Sequence, residues 1–204
     1  MQVAIPNSRP KITREEAEKI LKHFKIDFSI YKVIIIGIRG YYANSIGLPG
    51  KNDRGVYDDA MMIITPEFYS TFNANCDPSS YRKGYGFEEN KGMASLKANQ
   101  VYFSWKLDYH KGKYLALCQR LGPMTVIRDG VNGDYEHTSA WIGCNNHKGG
   151  INTTGSLCCQ TVPPQQWQEY IDDVVRELKK YYGADFMNKC VPYVFLEAPI
   201  LKVI

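Results

Sequence analysis

The segment Lys32-Val33-Ile34-Ile35-Ile36-Gly37-Ile38 is an almost unbroken β-branched run. Such side chains are stiff at χ1 and pack well on a pleated surface, so the run reads as a buried strand. It is far too short to span a bilayer. Upstream, Thr13 and Glu16 form a capping box that starts a helix, with Ala17, Ile20, Leu21 and Phe24 on one face. Downstream, a second strand is expected over 57–65, stopping at Pro66. Shorter strands are expected at 100–107, 113–118, 124–129 and 139–146, divided by turn pairs such as Asp129-Gly130 and Asn132-Gly133.

A second helix opens at Pro163-Pro164, where the first turn needs no N–H donors, and Gly183 ends it. Trp167, Tyr170, Ile171, Val174, Leu178 and Tyr181 give it an apolar face. A last strand follows at 192–196, and residues 73–92 read as a long loop insertion. With no repeat and no linker, the expectation is one α+β domain over 1–204. Its core is a mostly antiparallel, barrel-like sheet with an N-terminal helical segment (1–31) and a C-terminal helix.

The chain has 204 residues, enough to bury a core without staples. Its 44% hydrophobic and 23% charged content is that of a globular protein. A net charge of +4 without any Lys/Arg run longer than two argues against a nucleic-acid partner and is compatible with an anionic one. The opening MQVAIPNSRPKITREE lacks the apolar stretch of a signal peptide, so synthesis in a cytoplasm is expected, with no stable membrane insertion. The six cysteines, at 76, 118, 144, 158, 159 and 190, form no regular framework and read as mostly reduced thiols. Packed structural cysteine is the expectation for Cys76, Cys118 and Cys190.

The stretch Ile142-Gly-Cys-Asn-Asn-His147-Lys-Gly-Gly-Ile-Asn-Thr-Thr-Gly-Ser156-Leu-Cys158-Cys159-Gln160-Thr-Val-Pro-Pro carries the chemistry. A strand delivers His147, a loop of small residues turns back, and a thiol is presented just before a helix. Glycines let the backbone turn sharply and approach a ligand. A thiol beside unpaired N–H groups and an imidazole has the parts for acyl transfer. His147 is the nearest histidine in sequence to Cys159, and as a cation it would lower the thiol pKa. His110 could line the same cleft from the substrate side. His23, on the first helix, reads as a surface or core position, and His137 as an exposed residue in a polar turn after Asp134. Asp58-Asp59 alternate faces on a strand and cannot flank one bond, so loop-anchoring or solvated carboxylates are expected. Arg39 and Arg128, beside Gly-containing turns, are candidate carboxylate binders, or else loop braces.

The order of histidine, glycine-containing loop and Ser-x-x-Cys resembles the signature of the L,D-transpeptidase catalytic domain, the YkuD-like family. Carried over, His147 is the base and Gly149 stands near the motif glycine. Ser156 is the motif serine, Cys159 the nucleophile and Gln160 the polar residue after it. Asn145-Asn-His-Lys-Gly-Gly-Ile-Asn-Thr-Thr-Gly-Ser156, Cys159-Gln-Thr161, Asn52–Asp59 and Phe72–Ser79 are similar to phage and prophage relatives of that domain. Leu157 stands where the motif has a second histidine, Cys158 where it has glycine, and Lys148 separates His147 from Gly149. The resemblance implies action on peptidoglycan stem peptides through a thioester of Cys159, as L,D-carboxypeptidase, endopeptidase or transpeptidase. It implies no metal or other cofactor, with the backbone of Cys158 and Cys159 holding the oxyanion. Ser156, Gln160, His110, Arg128 and Arg39 are the substrate-side candidates. Without a signal peptide, a phage lysis-type or injected hydrolase that reaches the wall by a non-classical route is expected.

Two other readings fit the residues. Cys144-x-x-His147 has zinc-ligand spacing that Cys158 or Cys159 could complete. Alternatively, the chain is a non-catalytic cell-wall or virion binding module whose thiols are merely packed.

Overall fold

The computed structural model describes residues 2–85 and 92–203. Thr13 caps the first helix, α1 (Arg14–His23), and both hydrogen bonds of the capping box with Glu16 are present. The β-branched run forms β1 (Ile34–Arg39). It pairs antiparallel with β2 (Asp59–Ile64) and parallel with β11 (Val191–Glu197). The remaining strands are β3 (Tyr69–Ala74), β4 (Ala94–Leu96), β5 (Gln100–His110), β6 (Tyr114–Gln119), β7 (Met124–Arg128), β8 (Tyr135–Ser139), β9 (Asn146–Lys148) and β10 (Gln160–Val162). The second helix, α2 (Pro164–Tyr182), starts at the expected prolines and ends at Gly183.

Eight strands form one sheet in the order β10-β9-β6-β5-β11-β1-β2-β3. Beyond the sheet's ends, Asn75 N–H donates to Thr161 O and Thr161 N–H to Asn75 O, both at 2.8 Å. This one bridge brings the two edges together, so the sheet is nearly a closed barrel and exposes little unpaired edge. The fold is therefore α+β with a mostly antiparallel, barrel-like sheet. The parallel pairs are β1–β11 and β9–β10. A smaller sheet, β4-β7-β8, lies beside it.

The alternation of β1 divides the core. Ile34, Ile36 and Ile38 meet α1 through Ala17, Ile20 and Leu21. Ile35 faces the main interior with Met61, Trp105, Tyr193 and, from α2, Tyr170 and Val174. Burying each such Ile contributes about 1.5–3 kcal/mol. Gly37 has no side chain because Tyr193 occupies that space: a Cβ there would lie 2.0 Å from the Tyr193 hydroxyl.

Three expectations need correction. No strand covers 139–146: β8 ends at Ser139, and Gly143 takes φ +74. The N–H groups of Gly143 and Cys144 donate to Gln119 Oε1, at 2.8 and 3.2 Å, instead of to a strand neighbour. Residues 135–139, including His137, form a strand although they are polar. The loop assigned to 73–92 begins after Ala74, since Asn73 and Ala74 belong to β3, and its residues 86–91 lie outside the described residues. Asp58 and Asp59 are buried and anchor loops: Asp58 accepts from Asp53 N–H (2.8 Å), and Asp59 from the N–H groups of Gly40 and Cys76.

No helix among the described residues is long and apolar enough to cross a membrane.

Candidate active site

The parallel pairing of β9 with β10 creates the site. Gln160 lies beside Asn146 and Thr161 beside His147. Asn146 and Gln160 point into the barrel, where Asn146 Nδ2 reaches Met61 Sδ (3.4 Å) and Tyr193 OH donates to Gln160 Oε1 (2.9 Å). Side chains alternate along a strand, so Asn145 and His147 share the opposite face, and Cys159 enters beside Asn145 just ahead of β10. Gln160 N–H donates to Asn145 O (2.8 Å), fixing that register.

Around the thiol, the 143–145 segment forms a backbone cradle. Cys159 Sγ donates to Gly143 O (3.4 Å), and Asn145 N–H is directed at the same sulfur. The turn that carries Cys159 is braced from behind. Ser156 Oγ donates to Cys159 O (2.6 Å), Ser156 N–H to Ser79 Oγ (2.8 Å) and Ser79 N–H to Ser156 O (2.8 Å). Among the described residues, neither the Cys158 nor the Cys159 N–H meets an acceptor. Two such donors beside a thiol are the parts of an oxyanion hole. Leu157 and Trp141, 56% and 89% exposed, flank this turn and the Gly143 loop with apolar surface.

Two imidazoles meet here. His110, at the end of β5, stacks on His147 with centroids 4.4 Å apart and planes 25° from parallel. Lys111, in the turn after β5, is a cationic neighbour of both rings and of Cys159. Burial lowers the His147 pKa to about 4; its hydrogen bond to the Lys148 carbonyl opposes the shift, while His110 and Lys111 add to it. Burial likewise pushes the Cys159 thiol up to about 12, with Cys158 adding to the rise and the Asn145 N–H and Lys111 opposing it. The resting pair is thus neutral thiol and neutral imidazole. Burial thus disfavours both ions, and Lys111 is a nearby charge that favours the thiolate.

The other expected site residues separate into three groups. His110 joins the site. Ser156, Cys158 and Gly149 shape it from beneath: Ser156 is buried with its hydroxyl committed to Cys159, and Cys158 is buried with its carbonyl accepting from Cys144 Sγ (2.8 Å). Gly149 leaves room for Tyr57, whose hydroxyl would lie 2.1 Å from a Cβ there. Gln160, Arg39 and Arg128 do not face the thiol. Gln160 is inside the barrel because its strand parity points it there. Arg39 pairs with Asp77 (3.2 Å), donates to the carbonyls of Cys76 and Leu96, and lines a separate cavity of about 630 Å³ with Tyr41, Asn44, Asn52 and Lys202. Arg128 donates to Gly92 O (3.0 Å) as a loop brace.

Asn145, Gly143 and Lys111 are the site residues that sequence reasoning missed. Asn145 stood inside the quoted motif, but nothing local shows that its amide reaches the end of β5. The zinc reading finds no support: no group of three or more His, Cys, Asp or Glu among the described residues could hold a metal ion. Cys144 is buried and turned to the Cys158 carbonyl.

The pKa values carry a direct test. With Cys159 near 12, its thiolate fraction at pH 8 is about 10⁻⁴. Its alkylation by iodoacetamide is expected to rise about tenfold per pH unit from 7 to 10. A plateau with a midpoint below pH 8, read by mass spectrometry of the Cys159 peptide, contradicts the neutral pair.

Comparison with protein-family models, curated proteins and solved structures gives no match.

Proposed function

We propose that the chain is a cysteine-nucleophile acyl-transfer enzyme acting on peptidoglycan stem peptides at an L,D bond. The observation that supports it is the placement of His147 in β9 and of Cys159 just ahead of β9's parallel partner β10, with unpartnered N–H groups at Cys158 and Cys159. His147 Nδ1 lies 2.8 Å from the Lys148 carbonyl, which can only accept, so this nitrogen carries the proton. The Nε2 lone pair is then free to take the proton of the Cys159 thiol.

In this reading the thiol transfers its proton to His147 Nε2 as sulfur attacks the substrate carbonyl carbon. The carbonyl electrons move to oxygen, which the Cys158 and Cys159 N–H groups hold. Collapse breaks the C–N bond, the imidazolium returns its proton to the leaving amine, and a thioester remains. Water resolves the thioester as hydrolysis, or a second amine resolves it as a cross-link. A neutral resting pair suits this sequence, since the thiol gives up its proton only as sulfur bonds to the substrate carbonyl carbon.

The substrate class rests on the resemblance of His147, Ser156 and Cys159 to the YkuD-like motif, as does the proposal of a lysis-type or injected enzyme delivered to the wall. Digestion of purified sacculi tests it. New muropeptides with a stem cut or exchanged at an L,D bond are the expected products by mass spectrometry. An unchanged muropeptide profile would sink the substrate assignment.

A further inference from the structure

The two stacked imidazoles are held in opposite tautomers by different partners. Asn145 Oδ1 accepts from the Gln119 backbone N–H at 2.8 Å, and a backbone N–H can only donate. That contact fixes the amide orientation, so the Asn145 group facing His110 Nδ1 at 3.3 Å is the NH₂. A donor there requires a lone pair on Nδ1, so the proton of neutral His110 sits on Nε2. His147 is the reverse: its Nδ1 donates to the Lys148 carbonyl and its Nε2 carries the lone pair. Neither Nε2 has a hydrogen-bond partner among the described residues.

We infer that the pair divides its labour, with His147 the proton acceptor for Cys159 and His110 a neutral N–H donor to the substrate's acyl oxygen, set in that tautomer by Asn145. This rests on the acyl-transfer reading and deepens it. His110 touches substrate and is a catalytic residue; Asn145 acts through it and is a positioning residue. Stacking favours the division, because two cations 4.4 Å apart would repel in a buried setting. Lys111 and Arg120 are the charged groups bearing on His110, and both disfavour its protonation, as burial does. A ring that stays neutral keeps one nitrogen as donor and cannot compete with His147 for the thiol proton through Nδ1, which Asn145 occupies. Asn145 also directs its backbone N–H at the Cys159 sulfur, so one residue sets both the thiol and the second ring.

Long-range proton–nitrogen correlation spectra of ¹⁵N-histidine-labelled protein read tautomers without substrate. At pH 7, His147 is expected as the Nδ1–H form and His110 as the Nε2–H form. Asn145→Asp keeps an acceptor for Gln119 but turns a second acceptor to His110, so His110 is expected to switch to Nδ1–H while His147 does not. Removing one preorganised donor costs about 10²-fold in kcat. His110→Leu is therefore expected to lose about that factor with KM little changed, and His110→Gln, which keeps an N–H near the Nε2 position, to recover part of it. His110 as Nδ1–H in the wild type, or wild-type kcat in His110→Leu, overturns the inference. The expected tautomers in a protein inert towards sacculi would sink the stem-peptide assignment and the role of His110 towards that substrate with it. Reversed tautomers in an active protein would remove only the inference.

Discussion

Cys159→Ala is expected to reduce muropeptide release to the level of untreated sacculi, and His147→Ala to lower it by about 10²- to 10⁴-fold. The asymmetry follows from the chemistry. Alanine at 159 leaves no atom able to form the thioester, so no slower version of the same route remains. Alanine at 147 leaves a thiol that other bases or solvent deprotonate, but the Cys159 pKa of about 12 makes that route inefficient. Cys190→Ser is the control, since this half-buried thiol lies just ahead of β11 and has no part in the β9–β10 site. The pH dependence separates this site from a preformed ion pair. Because His147 must be neutral to accept a proton, kcat/KM is expected to fall with acid only as pH approaches about 4, and to stay level between about 5 and 9. A loss centred near pH 6.5, the value of an unburied histidine, would mean that His147 is not desolvated as described. Activity surviving in Cys159→Ala would end the nucleophile assignment outright.

What the chain made legible before folding was local. The capping box of Thr13 and Glu16 and the Pro163-Pro164 start of α2 depend on residues three or four positions apart, so they can be read directly. The β1 run is long enough and apolar enough to identify itself. The failures are non-local. Gln160–Val162 is only three residues long and becomes a strand because Asn146–Lys148 lies beside it and because Asn75, far away in sequence, bridges to Thr161. Tyr135–Ser139 is polar and forms a strand through pairing with β7 at one edge of the small sheet. The same limit governs the site. His147 and Cys159 could be singled out from one stretch of sequence, but His110 meets them only through the β5–β6 hairpin. Gln160, adjacent to the thiol, was misplaced because one residue of strand parity separates the solvent face from the barrel interior.

Gly37→Ala is expected to destabilise the fold by about 3 kcal/mol, a loss of about 6–12 °C in melting temperature for a chain of this size. The added Cβ would lie 2.0 Å from the Tyr193 hydroxyl and 2.7 Å from two ring carbons. Tyr193 cannot easily withdraw. Its ring stacks on Trp105 at 4.2 Å and on Phe195 at 5.2 Å, and its hydroxyl bonds Gln160 Oε1 at 2.9 Å. Moving it would strain the stack and break a buried hydrogen bond worth about 1 kcal/mol. Tyr193→Phe removes the nearest clashing atom, so the double variant is expected to be less destabilised than the sum of the two single variants, by about 1 kcal/mol. The ring carbons still crowd the new methyl, so the rescue is partial. Urea unfolding of the four proteins measures this coupling; additive effects, or a Gly37→Ala variant as stable as wild type, would show that Tyr193 has room to move. The consequence reaches the site because Gln160 takes the Tyr193 hydroxyl on one end and gives its Nε2 to the Cys158 carbonyl at 3.2 Å on the other. A Tyr193 ring forced aside pulls on the turn that presents Cys159, so Gly37→Ala is expected to lose activity at temperatures where it is still folded.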